Sequence, residues 1–200
     1  MATRTAVALA ALLSLAACGD TVSKAPHGPA ETTWVEVKVE SLSDAQKAQR
    51  GKADGAREAL FGRLMGRLTE VMTKDGPVKA VEVCRGEAHP LAAAVAKEQG
   101  VAIGRTSHKL RNPLNAPPDW ARPLVDARRD TPAFLAAADG RLGVLAPIRL
   151  KATCLVCHGD PAKIEPAVKA ALAAGYPNDQ ATGFSEGDLR GWFWIEVPKP

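Results

Sequence analysis

The stretch Cys154-Leu155-Val156-Cys157-His158 constrains this chain more than any other. The C-x-x-C-H pattern is the attachment signature of a c-type haem. Two cysteines three positions apart can each add to a vinyl group along one edge of a porphyrin. A histidine directly after the second cysteine can turn its imidazole under the ring as the proximal iron ligand. A bare C-x-x-C has other uses: a disulfide, half a zinc site or a thiol redox pair. A zinc site would need four Cys or His ligands at recognisable spacing, and the chain contains no second C-x-x-C. A thioredoxin-like pair would sit in a βαβ setting, which the flanking sequence does not supply. The motif therefore predicts one covalent haem c, held by Cys154 and Cys157, with His158 on the iron.

Covalent attachment of this kind belongs to exported proteins, and the N-terminus agrees. Arg4 marks a short charged region, and Ala6 to Ala17 is apolar apart from Ser14. That run has the length of a signal-peptide core and is too short to cross a bilayer. It ends in Leu15-Ala16-Ala17-Cys18, which resembles the lipobox of bacterial lipoproteins. Residues 1–17 are thus expected to be a signal peptide, with Cys18 lipidated. Residues 18–33 read as a flexible tether rich in Pro, Gly, Ser and Thr, and residues 34–200 as the haem domain. Several acyl chains anchor stably where one does not, so the expected location is the periplasmic side of a bacterial membrane. The formal charge of +4 falls to about +3 without Arg4, and two haem propionates would bring it near neutrality. No run of basic residues is interleaved with aromatics, so nucleic acid is not an expected partner.

Four cysteines are present. Two go to haem and one to lipid, which leaves Cys84. An odd cysteine in an exported chain needs an explanation: an inert buried thiol, an intermolecular disulfide, a metal ligand or, given one haem, the sixth iron ligand.

Periodicity places the rest. Thr33–Glu40 alternates and reads as a short strand or extended lead-in. Leu42–Lys74 reads as a long helix with Ser43 as N-cap; Leu60, Leu64, Leu68 and Val71 share its apolar face. That face would serve a homodimer as readily as the domain's own core. Met65 and Met72 read as core filler rather than iron ligands. Asp75-Gly76-Pro77 ends the helix and opens a second one, in which Val78, Val81, Cys84 and Ala88 fall on one side. His89-Pro90 is expected to interrupt that helix, and a further one stops at Gly100. A short strand, Val101–Gly104, follows. The donor-rich run from Arg105 to Pro113 suits haem propionates, with Arg105 and Arg111 as the cations, and equally suits a solvated basic loop. Asp119 is expected to cap a helix to Arg129, and Phe134–Ala138 to add a helical turn. Leu142–Leu150 reads as a strand, 162–174 as a helix, and Leu189–Val197 as a closing strand.

Several of these segments resemble, in order, the exported c-type haem proteins with a PAS-like core, long catalogued as a domain of unknown function. They are Val81-Glu82-Val83-Cys84, Ile103-Gly104-Arg105-Thr106-Ser107, Arg111-Asn112-Pro113-Leu114-Asn115, Cys154 to Pro161, Tyr176 to Gly183, and Gly187-Asp188-Leu189-Arg190-Gly191. The resemblance spans roughly residues 45–198 and implies an α+β fold: a small antiparallel sheet flanked by helices, with a long N-terminal helix. It implies iron held by His158 and Cys84. Trp192 and Trp194 depart from the smaller residues expected after Gly191.

Iron filled on both faces has no vacant position for substrate, which favours electron transfer or redox sensing with a redox protein or sensor as partner. A CO or NO sensor would follow if Cys84 left on reduction. A haem enzyme would need an open iron and a distal acid–base pair, for which His89 or His108 are the available side chains.

Overall fold

Five strands, all antiparallel, lie in the order β1-β3-β4-β5-β2. They are β1 (Trp34–Val37), β2 (Ala102–Thr106), β3 (Ala133–Ala137), β4 (Leu142–Arg149) and β5 (Leu189–Val197). The computed structural model describes residues 32–200. The expected signal peptide, Cys18 and all but the last two residues of the expected tether lie outside the described residues.

One long helical hairpin covers one face of the sheet. Its arms are α1 (Asp44–Lys74) and α2 (Gly76–Gln99). The Ser43 hydroxyl accepts from the Gln46 amide while the Gln46 side chain accepts from the Ser43 amide, a capping box that satisfies two orphan donors. Asp75 alone separates the arms, and Pro77 fits the first turn of α2, where its missing N–H costs nothing. Gly100 closes α2 in the left-handed conformation at φ 59°.

Side-chain alternation along the strands buries both faces. Phe134, Leu142, Val144, Ala146, Phe193 and Ile195 point toward Leu60, Leu64, Ala88 and Val95 of the hairpin. Leu135, Leu145 and Trp192 point the other way, onto Trp120 and Val125. The second face is covered by the 107–130 connection and its short helix α3 (Arg122–Asp126). The α+β expectation, a small antiparallel sheet flanked by helices with a long N-terminal helix, holds.

Four local expectations need correction. Phe134–Ala138 is not a helical turn but lies largely within β3, paired with β1 on one side and β4 on the other; two ladders and burial override the high helix propensity of Ala and Leu. Pro90 does not interrupt α2, which runs through it. Val81, Ala88 and Val95 are buried on either side, and that packing offsets the roughly 3 kcal/mol cost of an internal proline. Asp119 caps nothing: its carboxylate meets Arg122 at 3.1 Å. The helix is only five residues long, stopped by Arg128 at φ 52°. The helix expected at 162–174 is α5, Pro166–Gly175, once the four-residue helix α4 (Leu155–His158) has been counted.

The two tryptophans of β5 fit for identifiable reasons. Trp194 is in register with Gly104, and its ring occupies the space a Cβ there would need. Trp192 is fully buried and donates from Nε1 to the Arg129 carbonyl at 2.6 Å.

Candidate cofactor site

The haem motif leaves the sheet at a register shift between Ile148 and Arg149, which bends the end of β4. A 3-10 turn, Ala152–Cys154, then runs straight into α4. Cys154, Cys157 and His158 are therefore presented from two consecutive turns of tight helix. The turn cannot continue past Gly159, whose extended backbone brings it against Leu155: a Cβ there would lie 2.6 Å from the Leu155 carbonyl oxygen. Cys154 and Cys157 are free thiols, as is Cys84.

His158 is held by backbone. Its Nδ1 lies 2.7 Å from the Ala181 carbonyl. A carbonyl can only accept, so Nδ1 carries the proton and Nε2 keeps its lone pair. The Phe184 ring meets the imidazole edge-on at 6.4 Å. Burial, reinforced by Arg111 and Arg190, pushes the imidazole pKa down to about 2. The ring is held neutral at neutral pH, the form a metal requires.

The segment that supplies Ala181 is itself pinned. Asp179 Oδ1 accepts from the Ala181 amide at 2.7 Å, the local bond typical of an aspartate turn. Its Oδ2 accepts from Arg111 Nε at 3.0 Å. Arg111 Nη2 donates to the carbonyls of Cys157 at 2.6 Å and Ala181 at 3.2 Å. Arg111 therefore joins the motif, the loop beneath His158 and the 107–116 segment.

Cys84 lies one turn beyond Val81 on α2. Val81 packs with Ile164, Val168, Leu172 and Tyr176, and Cys157 rests on the same cluster. Burial pushes the Cys84 thiol up, while Arg105 and Arg111 pull it the other way. Cys157 is likewise pushed up by burial, with Cys84 and Cys154 among the minor causes. The sequence-predicted residues Cys84, Arg105, Arg111, Cys157 and His158 thus fall in one region, between α2, β2, α4 and α5. Val78 is left on the exposed side of α2. His89 is exposed, with Nε2 3.4 Å from the Asn112 side-chain nitrogen. His108 packs edge-on against Phe184 and Trp192 on the opposite side of the sheet from α2. Neither histidine has a carboxylate partner among the described residues.

Sequence reasoning gave no role to Ala181, Asp179, Phe184 or Arg190, although all but Phe184 lie in the segments that carry the resemblance. Ala181 acts through a backbone atom, which leaves no side-chain signature. The Tyr-Pro-Asn-Asp run around Asp179 is a turn signal, and a turn that holds a ligand looks no different from one that does not.

The donor set fits a covalent haem. Two free thiols on consecutive turns precede an imidazole of fixed tautomer, and no group of three or more His, Cys, Asp or Glu among the described residues is placed to hold a bare metal ion.

The profile of the Tll0287-like family matches residues 30–198. The chain belongs to that family. The crystal structure of the cyanobacterial heme-protein Tll0287 superposes on this fold with a TM-score of 0.57 and 26% identity, covering 76% of this chain and 96% of that one. No curated protein matches the chain.

Proposed function

We propose that this member of the Tll0287-like family is a monohaem c-type protein that carries or senses single electrons at the periplasmic face of a bacterial membrane. Cys154 and Cys157 form the thioethers, His158 Nε2 binds the iron on one face and Cys84 on the other. Cys18 carries the lipid anchor. The observation that carries the reading is the fixed tautomer of His158. A ring hydrogen-bonded through Nδ1 to a backbone carbonyl is aimed and made more basic at Nε2, as metal-binding histidines are. Membership of a family with a solved heme-protein adds support.

A bound haem supplies an iron that cycles between ferric and ferrous states. The chain's own residues set the terms. Cys84, as an anionic sulfur donor, favours ferric iron and lowers the potential. Arg105, Arg111 and Arg190 place positive charge around the site and work in the opposite sense.

The optical spectrum of protein matured with a working cytochrome-maturation system tests this. The expected result is a six-coordinate, low-spin ferric spectrum with a thiolate charge-transfer band, unchanged by CO on reduction. CO binding after reduction would point to gas sensing, and a high-spin ferric haem to an enzyme. A colourless product would sink the haem reading altogether.

A further inference from the structure

Three guanidiniums surround the haem motif, and their hydrogen bonds divide them. Arg111 is committed to Asp179 and to the Cys157 and Ala181 carbonyls. The Arg105 side chain, half-buried on β2 and near enough to Cys84 to act on its thiol, makes no hydrogen bond or ion pair among the described residues, and that partial burial holds its pKa below the usual arginine value. Arg190, near the start of β5, donates from Nη1 to Ser107 Oγ at 2.7 Å and to the Lys109 carbonyl at 3.2 Å. Its Nε is buried with no partner. Its guanidinium lies 5.7 Å over the Phe184 ring, the same ring that meets His158. Lys109 sits on that ring too, with its ammonium on the Thr182 carbonyl.

The charges do not close within the protein. Asp179 is the one carboxylate in this group, and it is already shared between Arg111 and the Ala181 amide. A buried guanidinium lacking a counter-ion is costly, and a buried orphan donor adds to the cost. Arg105 and Arg190 therefore call for anions that the described residues do not provide. Burial, with the fields of Arg111 and Arg105, brings Arg190 down to about 10, which agrees with a missing counter-ion.

Covalent attachment restricts where such anions arrive. Thioethers form on the two vinyl-bearing pyrroles, and the propionates leave from the other two. Arg111, tied to the Cys157 carbonyl, sits on the thioether side. We propose that Arg105 and Arg190 receive the two haem propionates, and that Arg111 is a positioning residue that fastens the motif to the loop beneath His158. This assignment rests on the haem reading above.

The test uses the matured holoprotein and four variants: Arg190→Gln, Arg190→Lys, Arg105→Gln and Arg111→Gln. Resonance Raman propionate-bending bands and the midpoint potential are read for each. Arg190→Gln and Arg105→Gln should each shift a propionate band and lower the midpoint, and Arg190→Lys should restore part of both. Arg111→Gln should leave the propionate bands in place while reducing the yield of covalently loaded protein. Arg190→Gln with the parent's bands and potential overturns the assignment, as does Arg111→Gln with a shifted propionate band. Should Arg190→Gln fail to fold, unshifted bands in Arg190→Lys overturn it equally. A parent lacking covalent haem fails the underlying reading instead, and is recognised before any variant is compared.

Discussion

Arg111 and Asp179 form an ion pair at 3.0 Å with both side chains only 11% exposed. The two come from segments 68 residues apart, and every other bond they make leads to the haem motif or to the loop under His158. The pair is a latch. Removing one partner leaves the other charged, buried and unpaired, which costs about 3 kcal/mol. Asp179→Ala should lower the unfolding free energy of the holoprotein by that order, measured by denaturant titration. A double-mutant cycle with Arg111→Gln should give a coupling of about 1–3 kcal/mol; additive effects would show that the latch does not act as a unit.

Cys84→Ser separates ligation from attachment. On the reading proposed above, the thioethers and His158 are untouched, so covalent haem should remain. The thiolate charge-transfer band should vanish, and the midpoint potential should rise because an anionic donor to ferric iron has been lost. Unaltered bands would make Cys84 an ordinary core thiol.

Gly104 and Trp194 face each other across β2 and β5. A Cβ on residue 104 would lie 2.5 Å from the indole ring, and the ring is wedged within the sheet's second face. Gly104→Ala should therefore destabilise by about 1–3 kcal/mol, the usual range for overpacking. Trp194→Leu in the same chain should recover part of that loss in chemical unfolding. Equal losses in the single and double variants would mean that the glycine serves some other purpose.

Legibility in the sequence followed where the physics is local. Ser43, Asp75-Gly76-Pro77 and Gly100 mark helix ends because caps and breakers act within a few residues. β5 keeps its predicted limits because its apolar run is bounded by Gly187-Asp188 and Pro198. β3 was not legible: Ala-Phe-Leu-Ala-Ala has no alternation, and its identity comes from the two neighbours that pair with it. Pro90 misled for the same reason, since what carries α2 through it is the packing of Val81, Ala88 and Val95. In the candidate site, Cys154, Cys157 and His158 stand out in the sequence because the motif is defined by their spacing. The partner of His158 is a carbonyl 23 residues further on, and Arg190 gains its significance only from an unpaired Nε.

Tyr176 is the only tyrosine in the chain, so a phenolate titration followed in the near ultraviolet reports on one site. Its side chain is 7% exposed and packs with Val81, Val168 and Leu172. Burial, and secondarily Cys84, push its pKa from 10 up to about 12, against the opposing pull of Arg111 and Arg105. The sign follows from linkage. The folded pKa is raised, so the unfolded chain releases its proton first as pH rises. The contribution to stability is whole below about 10 and is lost as pH climbs through about 12. Ionisation near 12 in the native protein, and near 10 once denaturant is added, is the expected pair of results. A native midpoint near 10 would mean that the ring is solvated and that Tyr176 does not pack between α2 and α5 beside Cys84.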